Sequence, residues 1–232
     1  MKKLIFLFLS FLLLLPVSAR ALHSDTYLMD TPTAEVLPLK TLGITARMFN
    51  SGGMLTYFDF SILNRFSIGA SFTLEHLIGT NDEDIKVLIP ALQLKFRIYD
   101  GTNNFPAIAI GFDNQGFKYN HYDNKYEQIA RGLYMAFTKE LFFPGFILNS
   151  GINMTVNGFE FDTFAGFVSA GYTIFDIFQF MFEWDNIRTL KESRLNSGVK
   201  IYLADFFNLD FAIRDFNHKA ERVAQLKYTF AF

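Results

Sequence analysis

The chain has 232 residues, with 21 Lys and Arg against 23 Asp and Glu, a formal net charge of −2 and no cysteine. That balance excludes nucleic acid as a partner, since phosphate backbones demand concentrated Lys and Arg. The missing thiols exclude a disulfide framework and the lipid-bearing cysteine of a lipoprotein. Half of the residues are hydrophobic and 30 are Phe, yet after Pro16 no stretch approaches the roughly 20 unbroken apolar residues of a membrane helix.

At the front, Lys2 and Lys3 precede an apolar run from Leu4 to Leu15, then Pro16 and Ala19-Arg20-Ala21. These are the three regions of a secretory signal, expected over residues 1–21, with a mature chain beginning near Leu22. Residues 22–40 form an N-terminal lead-in segment, and from residue 41 onward alternation dominates.

Period two predicts β-strands, because successive side chains point to opposite faces. Twelve are expected, over residues 41–49, 53–62, 66–76, 88–98, 106–112, 131–139, 146–155, 163–173, 177–185, 196–204, 207–214 and 223–232. In "FQFMFEWD", Phe178, Phe180, Phe182 and Trp184 share one face, while Gln179, Met181, Glu183 and Asp185 share the other. No part of the mature chain shows a helical period. Several strands run to about ten residues, the length that crosses a bilayer at a tilt, whereas soluble strands stop near five or six.

A soluble sandwich also alternates, and three features separate it from a barrel. Aromatic residues are 18% of the chain, more rings than a core of this size packs readily. Tyr57, Tyr172 and Trp184 fall near strand ends, as interfacial girdle residues do. The even-numbered connections, "NR", "DGTNN", "ELFFPG", "IFD" and "DF", are short, and the odd ones after the first are long. That is the periplasmic and extracellular pattern of an outer-membrane barrel. The expected fold is all-β, an antiparallel up-and-down transmembrane β-barrel of about twelve strands over residues 41–232, in the outer membrane.

Closure requires the last strand to pair with the first, since unpaired backbone groups in lipid are prohibitively costly. In that last strand Leu226, Tyr228, Phe230 and Phe232 alternate with polar residues. The stretch "AQLKYTFAF" resembles the C-terminal assembly signal of bacterial outer-membrane proteins, which implies the barrel-assembly machinery as a partner alongside outer-membrane lipid.

The polar faces carry Arg47, Asp59, Glu75, Lys95, Arg97, Glu183, Asp185, Lys200, Asp210, Arg214 and Lys227, the expected lumen lining. Twelve strands lie between the filled interior of about eight and the open channel of about sixteen, and long side chains of both signs favour a mostly occluded lumen. The excess of Arg and Lys that marks a strongly anion-selective pore is absent.

Signals for catalysis are weak. His23, His76, His121 and His218 lack metal-pair spacing, and no G-x-S-x-G context is present. No catalytic residue, metal or cofactor is expected. The "NDED" run, Asn81 to Asp84, reads as a solvated acidic loop tip. In the longest loop Phe117, Tyr119, Tyr122 and Tyr126 interleave with amides; such rings suit contact with sugar faces, while continuation of the upper aromatic girdle is the reading placed first.

Two stretches carry a family resemblance. "TPTAEVLPLKTL", Thr31 to Leu42, and "LQLKFRIYDGTNNFPAIAIGFDNQG", Leu92 to Gly116, resemble YjbH-type outer-membrane proteins associated with exopolysaccharide production. In the second stretch the shared features are Asp100-Gly101, Pro106-Ala107, Gly111 and Asp113. The resemblance implies polysaccharide as a partner and supplies no catalytic residues. Members of that family are commonly longer, and this chain corresponds to the barrel part. The expected function is a non-enzymatic barrel accessory to surface polysaccharide export or envelope organisation. A narrow passive or solute-specific channel is the first alternative, and a lipid-modifying barrel enzyme the second.

Overall fold

The computed structural model describes residues 25–79, 84–141, 143–157 and 160–232. The expected signal peptide and cleavage site, His23, and Asn81 to Glu83 lie outside the described residues. In chain order the strands are β1 (Thr41–Phe49), β2 (Gly53–Leu63), β3 (Phe66–Glu75), β4 (Lys86–Val87), β5 (Ala91–Tyr99), β6 (Ala107–Asp113), β7 (Phe117–Asn120) and β8 (Lys125–Gln128). They continue as β9 (Ala130–Glu140), β10 (Phe146–Asn157), β11 (Glu160–Ile174), β12 (Phe178–Ile187), β13 (Arg194–Ala204), β14 (Phe207–Arg214) and β15 (Glu221–Ala231).

Among the described residues, twelve of these strands close an antiparallel barrel; β4 adds a short edge on β3, and β7 and β8 form a separate hairpin. The ring shuts where β15 pairs with β1, from Thr41 opposite Ala231 to Met48 opposite Ala224. The Phe232 N–H extends that seam by donating to the Lys40 carbonyl at 2.9 Å.

The expected strand over 88–98 begins only at Ala91, as β5, because Pro90 has no N–H to give a ladder; the two-residue β4 precedes it. The β7–β8 hairpin was not expected, because "FKYN" and "KYEQ" carry polar groups on both faces and show no buried side.

Burial follows the alternation. On β12, Gln179, Met181, Glu183 and Asp185 are buried, whereas Phe178, Phe180 and Phe182 are exposed. On β15 the apolar face of Leu226, Tyr228 and Phe230 is exposed, with Phe232 just beyond it. A soluble protein rarely leaves so continuous an apolar band uncovered, and lipid needs no jigsaw packing, which accounts for the abundance of Phe. Tyr172 stands on that outer band, 5.2 Å from the Phe143 ring near the short-turn end, and Trp184 is on the outward parity of β12. Tyr57 is different from its expectation as a girdle residue: it shares the inward parity of Leu55 and Asp59 and lines the lumen.

Candidate functional site: the lumen and its plug

All eleven expected lumen residues lie on the inward parity of their strands; eight are buried, and Asp59, Glu75 and Arg97 are half-buried. Their partners are mostly not one another. Residues 25–37, expected only as a lead-in to β1, fold back inside the barrel and are buried almost throughout.

This segment is a small hairpin. The Leu28 N–H donates to the Thr31 carbonyl at 3.0 Å, the Thr33 N–H to the Thr26 carbonyl at 3.1 Å, and Tyr27 bridges to Pro32. Its tip is clamped by Glu183, whose Oε1 accepts the N–H groups of Met29 at 2.9 Å and Thr31 at 3.0 Å and the Thr31 hydroxyl at 2.7 Å. The Asp30 N–H lies 3.1 Å from both carboxylate oxygens, and Asn196 Nδ2 donates to Oε2 at 3.0 Å. A carboxylate that accepts this many donors makes strong, charge-assisted bonds, and so the lost hydration of this fully buried Glu183 is replaced.

The Asp30 side chain points the other way. Arg47 Nη1 reaches Oδ1 at 2.7 Å and Arg214 Nε reaches Oδ2 at 2.5 Å. Arg47 also donates to the Met29 carbonyl at 2.8 Å, and Arg131 to the Asp30 carbonyl at 3.1 Å. Farther down, Asp25 meets Lys200 at 2.9 Å and hydrogen-bonds with Tyr202. Lys95 donates to the Thr26 carbonyl, and its ammonium lies 4.7 Å from the centre of the Tyr27 ring. Glu35 closes the series against Arg97 at 2.8 Å. Each plug carboxylate therefore faces a wall cation, and for the buried pairs of Asp30 and Asp25 removing one partner costs about 3–5 kcal/mol.

The apolar side chains of the plug are seated on glycines. A Cβ at Gly171 would lie 3.0 Å from Leu28 Cδ1, one at Gly198 2.9 Å from Met29 Cε, and one at Gly43 3.3 Å from Leu37 Cδ1. The wall is thinned where the plug needs volume. Gly171→Leu is expected to dislodge the hairpin while leaving the barrel closed, since overpacking of this kind costs about 1–3 kcal/mol. Faster chymotryptic cleavage at Tyr27 or Leu28, with an unchanged heat-induced shift of the folded barrel on gels, is the measurement that checks it.

Above the plug, residues 114–129 fold over the mouth. Gln115 accepts from Ser71 at 2.7 Å, and Gln128 accepts from Arg214 at 3.0 Å. Of the four loop aromatics, Tyr119 and Tyr126 meet edge to face at 5.1 Å, and Tyr122 stands fully exposed. Phe117 corrects its expectation as an outer-loop glycan contact: it turns into the lumen, where the guanidiniums of Arg214 and Arg47 lie 4.2 and 5.6 Å from its ring centre. Paired cations attract its π-face more strongly than solvent does. Glu75 stays at the rim against His121 at 2.5 Å. Two outer loops are joined by His218, bonded to Asp215 at 2.7 Å and to the Lys191 carbonyl at 2.9 Å; these acceptors raise its pKa above the ordinary histidine value.

The cavity between the plug and the wall around Arg47 and Asp113 holds about 60 Å³, room for a few waters at roughly 10–15 Å³ each. Sequence reasoning missed Asp25, Asp30 and Glu35 as lumen groups, although residues 25–37 hold three acids and no Lys or Arg. It also missed Arg131, whose strand parity points outward. A residue at φ +71°, Gly132, interrupts that parity, and Arg131 instead reaches Asp185 at 3.1 Å.

No protein-family profile matches the chain, and no curated protein matches it. Among solved structures, the barrel is similar to the KdgM porin, with a TM-score of 0.54, 10% identity, and coverage of 82% of this chain and 99% of that one. The KdgM porin in complex with disordered oligogalacturonate matches at TM-score 0.50, 8% identity, 83% of this chain and 99% of that one. At such identities the likeness is one of fold. This chain is an outer-membrane β-barrel of twelve strands that shares its architecture with porins.

Proposed function

We propose that the protein is a narrow, solute-specific outer-membrane channel whose resting state is closed by its own residues 25–37. The observation that carries this reading is the way the lumen is filled. Wall charges that interlocked permanently across the barrel would make an inert strut; here the occluding element is a short tethered hairpin held by a few charged contacts. Ordering such a segment costs about 1–2 kcal/mol per residue, which offsets much of what its contacts contribute and keeps the closed state reversible. The porin-like architecture supports the same reading, and it ranks the channel above the accessory role in polysaccharide export expected from the sequence.

Single-channel recording of the refolded mature chain in a planar bilayer tests it. Wild type is expected to be mostly silent with brief openings. Glu183→Ala, which removes the acceptor of the plug tip, is expected to raise the open probability at least about tenfold, because each charge-assisted hydrogen bond contributes about 1.5–3 kcal/mol and 1.4 kcal/mol is a factor of ten. A correctly inserted Glu183→Ala barrel as silent as wild type would overturn the proposal.

A further inference from the structure

Resting on that channel reading, we infer that Arg47 and Arg214, standing over Phe117, form a binding site for a carboxylate-bearing solute, and that Asp30 occupies it as a built-in competitor.

Three observations converge on this. The two guanidiniums grip one carboxylate from opposite sides, at 2.7 and 2.5 Å; guanidinium donors match carboxylate geometry better than any other side chain does. The pair is held in place independently of Asp30. Both lie over the Phe117 ring, Arg47 Nε donates to Gln225 at 2.9 Å, and Arg214 pairs with Glu221 at 2.8 Å. When the plug leaves, the grip therefore stays formed around an empty carboxylate position.

Adjoining cavities lead toward that position from the long-loop side. A vestibule of about 350 Å³ at the mouth shares Glu75, Lys118, Tyr119 and Glu221 with a constriction of about 20 Å³. The constriction in turn shares Arg47, Gln115 and Phe117 with the lumen cavity. A solute arriving from outside meets the arginine pair before the body of the plug.

Charge completes the case. With residues 25–37 depart Asp25, Asp30 and Glu35, while their partners Lys200, Arg47, Arg214 and Arg97 remain on the wall. The opened lumen loses three acids and no base, so it carries more positive charge than the closed one, most of it freed where Asp30 stood. Phe117 and Tyr57 border the same cavity and offer apolar faces beside the carboxylate grip, so the class of solute that fits is an acidic sugar more than a small inorganic anion.

The test is calorimetric titration of the full mature chain in detergent with trigalacturonate as the acidic probe and maltotriose as a neutral one of equal length. Asp30→Asn keeps the shape of the tip and removes the competing charge. It is expected to bind trigalacturonate at least about tenfold more tightly than wild type, as when a competitor holds the competent state to a tenth of the population, and to ignore maltotriose. Adding Arg47→Gln or, separately, Arg214→Gln to Asp30→Asn is expected to abolish the gain, and two variants guard against one that fails to fold. Equal affinity in wild type and Asp30→Asn, equal binding of maltotriose, or a gain that survives both arginine changes would overturn the site. Binding in Asp30→Asn together with a silent Glu183→Ala barrel would keep this site and remove the channel. A conducting Glu183→Ala barrel with no carboxylate binding would do the reverse.

Discussion

Deletion of residues 22–37 is expected to turn a mostly silent barrel into one with steady single-channel conductance and a reversal potential shifted toward anions relative to the brief openings of the full mature chain. The deleted segment holds almost no barrel backbone bonds; the wall closes on itself through β1 and β15, so the ring survives its loss. What disappears is the filling. The cavity beside the plug holds only about 60 Å³, and twelve strands without the plug enclose a lumen between the packed interior of about eight and the water-filled one of about sixteen. Arg47, Lys200, Arg214 and Arg97 lose the partners Asp30, Asp25 and Glu35 while the wall acids stay, which shifts the selectivity toward anions. Bilayer recording under a salt gradient gives both numbers. A deleted barrel that inserts and stays silent would place the barrier in residues 114–129 instead of the plug.

The opposite manipulation is expected to be as large. Thr31 Oγ1 and Ser169 Oγ stand 2.7 Å apart across the plug and β11, and the chain contains no cysteine to interfere. Thr31→Cys with Ser169→Cys brings two sulfurs close to bonding distance, about 2.05 Å in a disulfide. Oxidised, this variant is expected to stay closed even with Glu183→Ala present, and reducing agent is expected to restore the openings of Glu183→Ala. The lock acts on position alone, so it separates movement of the plug from any change of charge in the lumen. Conductance through the cross-linked barrel, with the cross-link confirmed by mass, would show that solutes pass beside a plug that never leaves.

Most of the wall was legible in the sequence, and for a physical reason. A strand in a barrel has one face toward lipid and one toward the lumen, so each residue's environment is set by its own parity. Phe178, Phe180 and Phe182 outward and Gln179, Glu183 and Asp185 inward follow from that rule residue by residue. Where parity was broken or overruled, the reading failed. Gly132, at a positive φ, redirected Arg131, and Pro90 delayed the start of β5. Phe117 left its loop for two guanidiniums that no local pattern connects to it.

By itself, then, the sequence determined a closed antiparallel barrel, the face each strand turns to lipid, the short-turn and long-loop ends, and a lumen rich in both signs of charge. Only the tertiary structure decided what those charges do. The wall acids and bases nearly balance among themselves and read as an occluded lumen, and the folded structure adds three further acids on residues 25–37, whose partners are wall cations. Asp30 finds Arg214 and the tip finds Glu183 across 184 and about 150 residues of chain, and such pairings leave no periodic trace. They arise when the barrel, already closed by its local alternation, presents buried cations that only the carboxylates of the folded-back segment satisfy.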